Sequence, residues 1–139
     1  MDTKDINYMI MIAGKPTNLR FDVQAMADTE QTLELMKGGM SKKSFFALLD
    51  WPYDIREMSV MLMHGINGAN RFEKIDKRLS FTESNELLQN HFGIIAETCI
   101  TGEDFKAAQE NFMKEISNAA RKGVGFREAV KPQAVAPTV

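Results

Sequence analysis

His64, His91 and Cys99 are the sequence's only two histidines and only cysteine, so metal or nucleophilic chemistry would have to begin with them. Neither histidine falls in an H-x-x-x-H or C-x-x-C spacing that could build a metal site. Cys99 sits in "AETCI" with no adjacent cation to stabilise a thiolate, and is expected to be a buried, inert thiol. Glu30, Glu34, Asp104 and Glu110 are spaced like solvated helix faces rather than like a general acid and its base. "KGGMSKKS" lacks the G-x-x-x-x-G-K-[ST] spacing of a phosphate loop and follows a helix, where such a loop follows a strand. Arg71, Lys74, Lys77 and Arg78 alternate with Glu73 and Asp76, a pattern that suits an exposed loop better than nucleic-acid contact. These residues give no catalytic, metal or cofactor site, and the chain is not expected to be an enzyme.

The bulk properties agree with that reading. A chain of 139 residues has the size of one domain, and 44% apolar with 26% charged residues is an ordinary globular composition. A net charge of −2 supplies no general attraction to nucleic acid or acidic lipid. One cysteine excludes an intrachain disulfide and fits a reducing compartment. No apolar run is long enough to span a membrane, and "MDTKDIN" does not open like a secretory signal. A cytosolic protein is the default expectation.

Whatever the chain does must be positioned by a hairpin followed by helices. "YMIMIAGKPTNLRFDV" alternates on either side of a loop punctuated by Gly14, Pro16 and Asn18, which predicts a β-hairpin over 8–23. Both parities of its first strand are apolar, so that strand is expected to be covered on both faces. Asp22 is a candidate N-cap for a helix reaching about Lys37, with Met26, Leu33 and Met36 as its stripe and Gly38-Gly39 as its end. A short amphipathic helix over 41–50 and a break at Trp51-Pro52 follow. Asp54 and Glu57 look like a capping box for the next helix. "HGINGANRFEKIDKRLS" reads as the end of that helix and an exposed loop. Ser80 or Thr82 starts another helix, with a new segment after Gly93. A last one opens at Thr101–Asp104 and carries Phe105, Ala108, Phe112, Ile116 and Ala119 at helical spacing. The expected fold is helix-dominated α+β, a hairpin packed on a small helical bundle. The domain covers 1–124, with helices to about 122, and 125–139 forms a flexible Pro/Ala-rich tail.

Methionine is the compositional oddity, at ten residues. In "DIREMSVMLMHGI", Ile55, Met58, Leu62 and Ile66 form a core face at about 100° per residue, with Met63 and Val60 on one flank and Met61 on the other. Arg56, Glu57 and His64 fall opposite. So wide an apolar arc belongs to a helix gripped by its neighbours, or by neighbours and a partner. Val60, Met61 and Met63 are the candidate partner-binding residues, because flexible thioethers tolerate varied partners. Phe21, Asp22 and Leu62 are the candidate structural residues: an anchor, a cap and a core side chain.

In linear order, the chain resembles the small tail assembly chaperones of long-tailed bacteriophages and the related gene-transfer-agent proteins. The shared elements are Leu19, Phe21 and Asp22 at the strand-to-helix junction, then Ala25, Met26 and Glu30. A Gly38-Gly39 break, "SFFALL", a helix with Gly65 near its end and "LSFTESNELL" complete the order, covering about Tyr8 to Leu88. The resemblance implies a protein that binds the long helical tape measure protein and keeps it soluble while tail tube subunits polymerise around it. The major tail tube protein is a second implied partner, and self-association stays open. No nucleic acid, membrane, metal or nucleotide is implied, and the implied location is the host cytoplasm, outside the mature virion. A tail-completion or connector protein and a small helical regulator are the competing classes. The first is disfavoured by the single hairpin and the second by the lack of a basic helix.

Overall fold

The computed structural model describes residues 5–36, 44–50 and 54–125. Strands β1 (Asn7–Ile12) and β2 (Lys15–Arg20) form an antiparallel hairpin, followed by helices α1 (Val23–Met36), α2 (Ile55–Phe72), α3 (Phe81–Glu97) and α4 (Gly102–Val124). The molecule is a helix-dominated α+β fold with the hairpin packed on the helices. The expected Gly38-Gly39 break, the Trp51-Pro52 break and the tail beyond Gly125 lie outside the described residues.

The hairpin turns earlier than its punctuation suggested. Ala13 and Gly14 both take positive φ (52° and 79°), a two-residue turn whose twist matches the strands. Pro16 and Asn18 therefore lie inside β2, opposite Met11 and Met9. Only one face of β1 is covered: Ile10 and Ile12 are buried, whereas Met9 and Met11 are 59% and 53% exposed. Apolar side chains of both parities were thus a poor guide to burial here.

Asp22 Oδ1 accepts the Ala25 N–H at 2.8 Å at the start of α1. The next predicted helix shortens to a 3-10 turn, Phe45–Leu48, capped by Ser44 and held to α1 by Glu30, whose Oε2 accepts the Phe45 N–H at 2.6 Å. Phe45 and Leu48 point into the core, and the Phe45 ring lies 5.4 Å from that of Phe21. α2, α3 and α4 each begin with a reciprocal capping box, Asp54/Glu57, Ser80/Glu83 and Thr101/Asp104.

α2 is the hub. It continues to Phe72, well past the end its glycines suggested, because Gly65 and Gly68 mark close packing rather than termination. A methyl group on Gly65 would stand 2.9 Å from Phe21 Cζ, and one on Gly68 would stand 2.2 Å from the Arg20 carbonyl oxygen. Gly123 of α4 meets the Phe21 carbonyl in the same way, at 2.3 Å. Three glycines thus let two helices close on the chain at Arg20–Phe21. The loop after α2 is tied back by Asn67, whose amide donates to the Leu79 carbonyl and accepts the Leu79 N–H. Gly93 causes no break either, and α3 runs through it.

Candidate partner-binding surface

The flanks of α2 offer nothing to a partner. Val60 and Met61 are fully buried and Met63 is 7% exposed. Neither thioether nor the valine presents a surface in this fold, so their assignment to partner binding is corrected. Glu57 and His64, placed on the far side of the helix by its periodicity, are buried as well, while Ile55 of the supposed core face is half-exposed. β2, α1, α3 and α4 all contact α2, which explains an apolar arc that wraps the helix. His64 faces Thr32, with Nε2 2.8 Å from Oγ1, and burial pushes its pKa below the ordinary histidine value. Phe21 and Leu62 are fully buried.

Exposed apolar side chains lie elsewhere. α3 buries only Ser84 and Leu88, and from Gly93 to Gln109 the α3–α4 hairpin has no buried residue. Ile100, at the connection between the two helices, is 93% exposed and Ile94 is 44% exposed. Phe92 and Phe105 brace this arm internally, edge to face at 6.0 Å. Cys99 is half-buried in the connection, where a fully buried thiol was expected.

Two grooves flank α3. One, of about 430 Å³, lies between β1, α3 and α4, with Met9, Met11, Ile95 and Phe112 among its walls. The other, of about 520 Å³, lies between the end of α1, the start of α2 and α3, with Ile55, Phe81, Leu88 and Phe92 among its walls. Both are mainly apolar, suited to side chains of a partner rather than to a polar substrate.

His91 stands at the first groove with its chemistry already committed. Its Nδ1 accepts the Ala13 N–H at 2.9 Å, its ring stacks on Phe112 with centroids 4.1 Å apart, and burial lowers its pKa. It therefore holds the hairpin turn against α3 as a neutral imidazole. Among the described residues no group of three histidine, cysteine or carboxylate side chains could hold a metal ion. Glu30 is spent on the 3-10 turn and Asp104 on the N-terminus of α4. There, the backbone N–H groups of Ile100 and Thr101 hold its carboxyl below the usual range. Arg71, Lys74, Lys77 and Arg78 are exposed together with Glu73 and Asp76. Arg71 pairs with Asp22 at 3.3 Å.

Charge is distributed unevenly around the arm. Residues 79–105 contain Glu83, Glu86, Glu97, Glu103 and Asp104 but no lysine or arginine. The arm from Gly93 to Gln109 has no buried residue, and Glu97, Glu103 and Asp104 outnumber its one base, Lys106. No described helix is long and apolar enough to cross a membrane.

The chain matches no family model, and no curated protein or solved structure shows significant similarity to it. Sequence periodicity missed Met9, Met11, Ile94, Ile95 and Ile100 as surface residues. The apolar residues of odd parity in β1 were the one available signal, and a run of isoleucines beside a glycine was the other.

Proposed function

We propose that this protein is a tail assembly chaperone of the kind found in long-tailed bacteriophages. It would bind a tape measure protein and keep it soluble during tail tube assembly, acting in the host cytoplasm and leaving before the virion is complete. The observation that carries the reading is the uncovered apolar surface of the α3–α4 arm and its two grooves, in a molecule whose two histidines are both engaged in structural hydrogen bonds. A holdase needs such a surface, because a long amphipathic client exposes apolar stripes until its own partners cover them. The order of hairpin, helix, "SFFALL" turn and "LSFTESNELL" helix supports the same class. The major tail tube protein is the partner expected to take over the client.

Co-expression with a tape measure protein from the same genome tests the proposal. The client alone should be insoluble, the native chain should bring it into the soluble fraction, and the double variant Ile94→Asp/Ile100→Asp should fail while staying folded. A soluble client without the chain, or undiminished rescue by the folded double variant, would sink the proposal or its surface respectively.

A further inference from the structure

We propose that the outer edge of β1 takes up an extended polypeptide segment as a third strand, apolar at alternate positions and cationic where it meets Glu115. The register of the hairpin places the edge groups. Ile12 and Lys15 flank a two-residue turn and form a closely hydrogen-bonded pair, as do Ile10 with Thr17 and Tyr8 with Leu19. Asn7, Met9 and Met11 therefore direct their N–H and C=O groups away from β2. Two features agree with this register. Pro16, which has no N–H, stands opposite Met11, and Lys122 Nζ reaches the outward carbonyl of Asn7 at 2.9 Å.

Both ends of the edge are closed and its middle is open. Lys122 covers Asn7, and His91 accepts the N–H of Ala13 just beyond Ile12. Between them, no hydrogen bond from another described residue reaches the outward groups of Met9 or Met11. A strand edge left in that state is a template for pairing. It opens onto the 430 Å³ groove, whose far wall carries Ile95, Ala108 and Phe112. A helix could fill the groove but would leave the edge unpaired, since its own backbone is internally bonded. An added strand meets both needs: alternate amides pair with Met9 and Met11, and side chains enter the groove.

Electrostatics fix the sign of the segment. Glu115 lines the groove and accepts the Tyr8 hydroxyl at 3.0 Å, and no lysine or arginine lines it. Glu115 is the one charged residue of the lining, so a lysine or arginine in the segment is favoured there and a carboxylate is repelled. The inference does not depend on the tail-chaperone reading, because it concerns the chemistry of the segment and not its source.

The experiment uses the full chain, isotopically labelled, and a capped hexapeptide in which valine alternates with threonine behind an N-terminal lysine. Saturating peptide should slow exchange of the Met9 and Met11 amide protons by about tenfold or more, while that of Ile10, already bonded to β2, changes little. N-methylation of every valine in one peptide and every threonine in another should abolish protection in one of the two, because alternate amides face the edge. Replacing the lysine by glutamate should weaken binding. Met11→Pro, at a position like that of Pro16, should keep the fold and lose the peptide. Unchanged exchange at millimolar peptide would overturn the proposal, as would retention of protection by both methylated peptides. Amides already protected in the free protein would also overturn it. Concentration-dependent protection would then assign the edge to a second copy, and concentration-independent protection would assign it to the chain itself.

Discussion

The junction at Arg20–Phe21 and the arm at Gly93–Gln109 are built to opposite rules. At the junction, two helices press their glycines against backbone, and Arg20 is buried with its guanidinium 3.7 Å from the Phe72 ring centroid. In the arm, nothing lies within 4 Å of where a methyl on Gly93 would be, and Ile100 is almost wholly in solvent. The same residue types serve tight packing in one region and an uncovered surface in the other. The difference places the tight packing in the hub and the open surface in the arm, and it is on the arm and the neighbouring strand edge that the proposed interactions rest.

Substitutions can break that contrast. Phe21→Ala removes a fully buried ring shared with Phe45 and should cost about 3–5 kcal/mol, read from the urea midpoint. Equal stability of the variant would remove the hub. Gly68→Ala should cost about 3 kcal/mol, since the Arg20 carbonyl cannot yield without moving β2. Gly93→Ala reverses the sign: in an open helical position it should stabilise by about 1 kcal/mol, seen as a raised melting temperature. The pair Gly68→Ala and Gly93→Ala is the sharpest version of the comparison, one mutation with two signs.

Acid should act on the seams between regions. His64 and His91 both have folded pKa values below 6.5 because burial disfavours their cations. Above 6.5 both states are neutral and stability is independent of these groups. As pH falls below 6.5 the unfolded chain takes up protons first, so stability declines until the folded pKa values are passed. Urea midpoints between about pH 7 and pH 5 should show this decline, and His91→Gln should reduce it. The smallest expected effect is Ile100→Asp, which should alter stability by less than about 0.5 kcal/mol, a change visible only in partner binding.

Much of the fold was legible because capping and periodicity are local. Asp54/Glu57, the pair of candidates Ser80 and Thr82, and the stretch Thr101–Asp104 announced three helix starts, with Ser80 and Thr101 the caps found, and Phe105 to Ala119 announced the last helix. Apart from the hairpin turn, which falls at Ala13-Gly14 ahead of Pro16 and Asn18, and the helix that shortens to a 3-10 turn, the misreadings concern glycine or burial, which depend on what lies across the fold. Gly65, Gly68 and Gly93 look identical in sequence, yet two are contact points and one is open. Val60, Met61 and Met63 could not be separated from surface residues, because a helix surrounded on all sides resembles one with a sticky flank. The strand edge was illegible for another reason: its unmet groups belong to the backbone, which every sequence shares.

Asn67 carries a consequence of a different kind. Asn67-Gly68 is the dipeptide most prone to chemical ageing, because an unhindered glycine nitrogen attacks the asparagine side-chain amide and closes a succinimide. Here the helix holds that nitrogen away from the reacting carbon, and the amide is fastened to Leu79 by two hydrogen bonds. Conversion to aspartate would replace a donor with an acceptor beside the Leu79 carbonyl. The loop would then lose its tie to α2. Slow deamidation at Asn67 would therefore act as a clock, recording how often the centre of the molecule opens.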